Sequence, residues 1–297
     1  MKRLVVLTLL IAAGTSAAAL RAMQAPPAGQ AGQPKVVEVE KIKDNLYMFR
    51  GGGGNTAVFV TDGGVVLVDT KLAGWGPAIL EKVKTITDKP VTTIINTHTH
   101  GDHTGSNEFF GAAVEIVAHE NTKTNMERME AFKGEKAAFL PKKTFNDKLS
   151  LMRGKDQIDV YYFGPGHTNG DAWIVFTDAK VVHAGDLFSG KNLPIIDVKN
   201  GGTAAGYPRT LMNAWQGLKN VDTIITGHST TLPFTDLKEY AEFNQEFLTW
   251  AQGELKAGKT VEQAVAEFKP SSPYSTYTVQ PERLRSNVQT VYDETNR

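Results

Sequence analysis

From residue 36 onward the chain is a series of apolar runs cut by short polar breaks, and the period of the runs shifts between two and about 3.6. VVEVEKI and NLYMF, on either side of a Lys-Asp-Asn break, are short and β-rich. AVFV (57–60) and VVLVD (65–69) predict a hairpin turned by Asp62-Gly63-Gly64. GPAILEKVKTI carries Ile79, Leu80, Val83 and Ile86 at helical spacing, and Pro77 suits a first helical turn. TTIINT (92–97) reads as a buried strand, a helix is expected to start near Thr104 and Gly105, EIVA (115–118) reads as a strand and ENTKTNMERMEAFK (120–133) as a helix. The second half repeats the style. Strands are predicted at 144–149 and 156–163, and AWIVFTD and KVVHAGD form a hairpin around Asp178 and Ala179. TLMNAWQGLKN (210–220) follows as a helix, DTIITG (222–227) as a strand, LKEYAEFNQEFLTWAQGEL (237–255) as a long amphipathic helix and TVEQAVAEF (260–268) as a shorter one. The remaining tail is polar, and the pattern assigns it no element.

Two strand-rich halves, each leading into helix, predict an α/β fold: two mixed sheets packed face to face with helices outside, a four-layer αβ/βα sandwich. No clean linker interrupts residues 36–297, so they read as a single domain with a C-terminal helical extension. The start of the chain differs. Lys2 and Arg3 precede an apolar stretch from Leu4 to Ala13, small residues follow, and Ala17 and Ala19 fit an A-x-A cleavage site. Residues 1–25 are therefore expected to be a cleaved signal peptide and the start of a linker, and the Pro/Gly/Gln-rich residues 26–35 a disordered linker. That predicts a periplasmic or secreted protein with no stable membrane anchor.

Composition narrows the chemistry. The 297 residues hold 32 basic and 32 acidic side chains, a balance that gives no electrostatic reason to bind nucleic acid. There is no cysteine, which excludes disulfides, thiolate metal sites and cysteine nucleophiles. Any metal must sit on imidazole and carboxylate.

Three of the chain's seven histidines fall in THTHGDHTG, at the end of a predicted strand. His98 and His100, two apart, point to the same side of an extended segment, and Asp102 and His103 follow in a glycine-containing loop that can curl back. Further donors stand at three more strand-to-loop junctions: His167 in GPGHTNGD, Asp186 in VVHAGDLFSG and His228 in DTIITGHS. Donors at strand ends are well held, and their loops leave an opening for a substrate. His119 is expected to cap or hydrogen-bond the helix after it, and His183 to be a buried, satisfied histidine. Ser189, Lys191 and Asn192 read as a solvated loop, with a substrate carboxylate as the alternative. The Gly51–Gly54 run lacks the Lys-Ser/Thr of a phosphate loop and reads as a tight turn near the site mouth.

The set His98-x-His100-x-Asp102-His103, then His167, Asp186 and His228, resembles the metallo-β-lactamase superfamily over residues 36 to 235, in order. Asp69, closing VVLVD, matches the aspartate that the family carries below its site. The resemblance implies that His98, His100 and His167 hold one metal, that Asp102, His103 and His228 hold a second, and that Asp186 bridges them. Two divalent cations lower the pKa of a shared water towards neutrality, and Asp102 would orient the resulting hydroxide. Zinc is the default for an imidazole-rich set, and the two aspartates also suit iron or manganese. The family's oxygen-reducing diiron branch carries Glu where this chain has His100, which argues against that branch. The implied function is a dinuclear metallo-hydrolase acting on a small carbonyl substrate: ester, thioester, lactone or cyclic amide. Periplasmic hydrolysis of β-lactams is the main alternative, although Asp186 stands where the lactamases usually carry Cys or Ser. A metal- or ligand-binding protein without turnover is the alternative of another class.

Overall fold

The computed structural model describes residues 35–296. The predicted signal peptide and all but the last residue of the predicted linker lie outside them. The first sheet begins with β1 (Glu38–Lys43), β2 (Leu46–Arg50), β3 (Thr56–Thr61) and β4 (Gly64–Val68), an antiparallel meander. After α1 (Gly76–Lys84) it continues in parallel as β5 (Val91–Ile95). The chain then makes a single helical turn, α2 (Gly101–Thr104), and returns as β6 (Glu115–His119). After α3 (Glu120–Glu127) comes the edge strand β7 (Lys143–Phe145).

The second sheet contains β8 (Lys148–Leu151), β9 (Ile158–Tyr161), β10 (Trp173–Phe176) and β11 (Val181–His183), all antiparallel. Beyond α4 (Tyr207–Gly217), β12 (Thr223–Ile225) pairs in parallel with β11, and the short β13 (Leu232–Pro233) closes the edge. Three helices complete the fold: α5 (Asp236–Lys256), α6 (Val261–Glu267) and α7 (Pro281–Thr295).

Alternation along the strands makes this a four-layer αβ/βα sandwich. Val66 and Val68 of β4 face the space between the sheets with Ile174 and Phe176 of β10, while Val65 and Leu67 pack outward against Ile79 and Val83 of α1. Trp173 and Val175 point the other way, into a cluster with Tyr207 and Leu211 of α4, Leu237 and Tyr240 of α5, and Val288 and Val291 of α7. Strands buried on both faces must be apolar at nearly every position, which is why VVLV and WIVF read as unbroken runs. Among the described residues no helix is long and apolar enough to cross a membrane.

Four expectations need correction. The strand expected at 144–149 is two strands in different sheets. Asn146 and Asp147 carry the chain across, with Asn146 O accepting from His119 Nε2 at 2.8 Å and Asp147 O from Tyr162 N at 2.9 Å. The helix expected over 120–133 stops at Glu127 and gives way to 3-10 turns at Glu130–Phe132 and Gly134–Phe139. The helix expected to start near Thr104 is instead the turn Gly101–Thr104, so Asp102 and His103 ride on it. The unassigned tail holds α7, with Pro281 in its first turn and Leu284, Val288, Val291 and Tyr292 buried along one face. Polar residues between those positions hid a helix that its spacing would have revealed.

Candidate metal centre

The centre lies where strand ends meet between the two sheets. Asp69 follows β4, donates its amide to Ile95 O at the end of β5 at 3.0 Å, and is fully buried at a φ of 64°. Asp69 Oδ1 accepts from Thr97 N at 2.8 Å, and Oδ2 from Thr97 Oγ1 and His103 Nδ1, each at 2.7 Å. The α2 turn is closed by the amides of His103 and Thr104, both 3.0 Å from His100 O. This coil brings the rings of His98 and His100 within 4.8 Å of each other, and those of His98 and His103 within 4.2 Å.

The second sheet supplies the remainder. Asp186 sits on the 3-10 turn Gly185–Phe188 after β11, its backbone carbonyl accepting from Tyr207 Oη at 3.1 Å. His228 follows β12, its amide donating to Ser189 O at 3.0 Å. A Cβ on Gly227 would come within 2.0 Å of Asp186 Oδ1, so only glycine lets the β12 loop pass this close to the carboxylate.

All seven predicted donors are brought together, in two groups. His98, His100, His167 and Asp186 form one and Asp102, His103 and His228 the other, each with its donor atoms within 4.8 Å of one another. Asp186 also reaches the second group, with Oδ1 3.2 Å from His228 Nε2 and 3.4 Å from His103 Nε2, and Oδ2 3.8 Å from His167 Nε2. Asp102 Oδ2 lies 3.3 Å from His228 Nε2.

The outward nitrogen of four of the rings is fixed. His98 Nδ1 faces Thr97 Oγ1 at 2.9 Å, His100 Nε2 faces Asp197 Oδ2 at 2.7 Å, His103 Nδ1 faces Asp69, and His167 Nδ1 faces Ile195 O at 2.8 Å. A hydrogen bond on one ring nitrogen sets the tautomer and leaves the other free as a lone-pair donor. The inward atoms behave accordingly. His98 Nε2 and Asp186 Oδ1 are both buried without a hydrogen bond, and the inward nitrogens of His167 and His100 are 3.0 Å apart with no acceptor between them. Orphaned donors in a dry pocket are costly, and a divalent cation satisfies them together. The donor set of imidazole and carboxylate fits such ions.

Electrostatics agree. Burial, with His103 and His167 nearby, holds His98 well below the ordinary histidine range, so it is a neutral donor. Burial alone would lower His103 too, but Asp186 and Asp69 outweigh it and hold its pKa well above that range. Burial opposes ionisation of Asp186, yet His103, His228 and His167 keep it ionised far below the usual carboxylate range. A positive charge is therefore favoured between Asp186 and His103, and a metal ion can take the place of that proton.

The surrounding residues divide as follows. His119 caps α3, with Nδ1 accepting from Asn121 N at 3.1 Å. His183 is buried and satisfied, between Asn55 O and Gly185 N, each at 3.1 Å. Ser189 and Asn192 line the cleft over the centre, whereas Lys191 turns away to Asp236 at 3.0 Å and Glu239 at 3.3 Å. The Gly51–Gly54 run packs behind the site. Gly54 N donates to Asp102 O at 3.0 Å, and the buried Lys71 Nζ donates to Gly54 O at 2.9 Å and Phe49 O at 2.8 Å. Asp197, Tyr207, Gln280 and Arg283 also stand around the centre without a signal in the sequence: the first two lie in no motif, and the last two in the polar tail.

Comparisons with known proteins accord with this geometry. Residues 49–228 match the family model of the metallo-beta-lactamase superfamily. A curated relative, metallo-beta-lactamase type 2 of Elizabethkingia meningoseptica, is 27% identical over 226 residues, 71% of this chain and 86% of the relative. Among solved structures, a metallo-beta-lactamase from Pontibacter korlensis superposes with a TM-score of 0.62 at 22% identity, covering 71% of this chain and 99% of that one. The inverting sec-alkylsulfatase Pisa1 from Pseudomonas sp. superposes with a TM-score of 0.71 at 16% identity, over 87% of this chain and 50% of the sulfatase. The matched span contains six of the seven predicted donors between its ends and terminates on the seventh, and with the αβ/βα sandwich it establishes that the chain belongs to the metallo-β-lactamase superfamily of metallo-hydrolases.

Proposed function

We propose that this chain is a dinuclear metal-dependent hydrolase, with zinc as the default metal, acting on a small carbonyl substrate. His98, His100 and His167 would hold one ion, Asp102, His103 and His228 the other, and Asp186 would bridge them. The observation that carries this reading is the pairing of inward donor atoms left without partners with outward nitrogens already fixed. Ions bound there supply an activated water and a Lewis acid for the substrate oxygen.

The chain's own residues do the rest. Asp102, partly exposed, lines two clefts, and its Oδ2, 3.3 Å from His228 Nε2, would orient the attacking water and take up its proton. Asp69 keeps the His103 proton on Nδ1, and Asp197 directs Nδ1 of His100 inward. Burial of His98, His103 and His167 excludes bulk water and strengthens each charge at the centre.

Metal analysis of the purified chain, with a panel of a chromogenic cephalosporin, a lactone, a thioester and a phosphodiester, tests this. About two equivalents of metal with turnover of a carbonyl substrate supports the reading, and metal content at background level sinks it. The 27% identity to a type 2 metallo-β-lactamase supports β-lactam hydrolysis as a second reading, which the cephalosporin arm decides. Export to the periplasm belongs to the same proposal, and the mass of the mature N-terminus checks it.

A further inference from the structure

Between the Gly185–Phe188 turn and α4, residues 189–206 run beside the centre with one 3-10 turn, Val198–Asn200, as their helical structure. Two of the outward ring contacts come from this loop. Ile195 O faces His167 Nδ1 at 2.8 Å, and Asp197 Oδ2 faces His100 Nε2 at 2.7 Å. The loop also bonds to the backbone around His167, through Asp197 N to His167 O at 2.8 Å, Asn169 N to Asn200 O at 2.9 Å and Thr203 N to Gly166 O at 3.0 Å. A surface loop opens locally at small cost unless it is tied to the core, and an open loop would release both rings.

The C-terminal segment supplies that tie. Thr278 meets the start of the loop, its amide donating to Lys191 O at 3.0 Å and its carbonyl accepting from Leu193 N at 2.9 Å. Arg283 Nη1 donates to Asn192 Oδ1 at 3.2 Å and to Leu193 O at 3.3 Å. Buried Asn287 donates from Nδ2 to Pro194 O at 2.9 Å, next to Ile195. At the far end of the loop the Glu294 carboxylate accepts from Thr203 Oγ1 at 3.0 Å, Ala204 N at 3.1 Å and Ala205 N at 2.8 Å. The segment is itself anchored, because Leu284, Val288 and Val291 seat α7 in the core outside the second sheet. The loop is thus pinned on both sides of Ile195 and Asp197 to close-packed structure. The other donor group is held differently: Asp69 fixes His103 from the first sheet, and the His228 amide meets the loop at its first residue, through Ser189 O.

We propose that residues 278–294 form a clamp that positions one donor group: by pinning the 191–205 loop to the helical core, Asn287 and Glu294 keep Ile195 O against His167 and Asp197 against His100. This clamp lies wholly beyond residue 228, where the family match ends. Its effect on metal affinity rests on the hydrolase reading of the centre. Its effect on the loop does not, so the two can fail separately.

The test compares the full-length chain with Asn287→Leu and Glu294→Ala, and with Val83→Ala, which trims the core between α1 and the first sheet. In the metal-free chain, hydrogen exchange at the Asp197 and Thr203 amides should quicken by about 10- to 100-fold in each clamp variant, the loss expected when polar partners are left unpaired, with the Asp69 and Thr70 amides unchanged. Zinc titration against a chromophoric chelator should show the group of His98, His100 and His167 weakened by about 5- to 50-fold, and that of Asp102, His103 and His228 within about twofold of wild type. Glu294→Gln, which keeps one acceptor oxygen, should fall between. Coupling is reciprocal, so zinc on the unaltered chain should slow exchange at the Ala204 and Ala205 amides. Unchanged exchange at Asp197 and Thr203 in both clamp variants overturns the proposal, since the loop would then be held by its own bonds to residues 166–169. Bound zinc that leaves Ala204 and Ala205 unchanged overturns it as well. So does the same quickening in Val83→Ala, or equal weakening of both donor groups, either of which marks general loosening. A loosened loop in a chain that binds no metal keeps the clamp and removes the hydrolase reading. Metal and turnover with an unchanged loop do the reverse.

Discussion

Asp69 offers a sharp test of how this centre is organised, because it touches no substrate and yet controls a donor. Its Oδ2 accepts from His103 Nδ1 and Thr97 Oγ1 at 2.7 Å, and Oδ1 from Thr97 N at 2.8 Å, all in the buried interior. Asp69→Asn preserves volume and the bond from Thr97 N. It places an amide NH₂ where Oδ2 stood, so His103 Nδ1 must give up its proton and become an acceptor, and the one proton left on the ring is held on Nε2, the atom aimed at Asp186. Binding an ion in the His103 group must then displace that proton without a carboxylate behind the ring. The expected loss of metal affinity is about 10- to 100-fold, or about 1.4–2.7 kcal/mol. It should fall on the group of Asp102, His103 and His228 and spare that of His98, His100 and His167. The metal-free variant should lose about 1–3 kcal/mol of stability from the weakened buried hydrogen bonds. Competition with a chromophoric chelator resolves the two affinities, and urea unfolding of the apoprotein gives the stability. Two affinities within about twofold of wild type would refute the tautomer argument, and equal weakening of both groups would show that the effect is general loosening.

Lys71 should make stability depend on pH. Burial outweighs the attraction of Asp69 and lowers its pKa from 10.5 to about 7, so above that value the unfolded chain holds a proton that the folded chain does not. Stability from this group therefore rises with pH through the window up to 10.5, at about 1.4 kcal/mol per unit. Wild type should gain about 2–3 kcal/mol on Lys71→Met between about pH 7 and pH 9 in urea titrations, and a flat difference would contradict the burial effect. Asp102→Asn should fold within about 1 kcal/mol of wild type and lose about 10²- to 10⁴-fold in kcat, and near-wild-type rates would remove its assigned role. Gly54→Ala sets a Cβ 2.2 Å from the His103 ring, which Asp69 holds in place, and should cost about 1–3 kcal/mol. Gly101→Ala, with nothing within 4 Å of the added carbon, should leave the unfolding midpoint nearly unchanged.

Much of the fold and of the donor set could be read from the chain because both are written locally. Val65 to Val68 are apolar at every position because both faces of β4 are covered, and the run announces that burial by itself. The donors announce themselves by rarity and place: His98, His100, Asp102 and His103 fall at one strand end, and His167, Asp186 and His228 at three others. Local pattern misled where identical runs have different tertiary destinations. KTFNDKLSL alternates like a single strand, and only the pairing of Phe145 with His119, and of Lys148 with Tyr161, shows that the chain changes sheets at Asn146.

The make-up of the centre is legible in the chain alone, because seven imidazole and carboxylate groups at loop junctions, with no cysteine, admit little other chemistry. Its setting comes from the packing in three dimensions. Asp197 reaches His100 across 97 residues, and Arg283 reaches Asn192 across 91. Asp197 also caps the turn after it through Lys199 N and Asn200 N, but its bond to His100, like that of Arg283 to Asn192, depends on distance in space, which the order of residues does not specify. The donors were legible because the residue types themselves carry the chemistry. The groups that orient them, such as Thr97, Asp69 and Asp197, are common residues whose roles come from where the packing of the chain puts them.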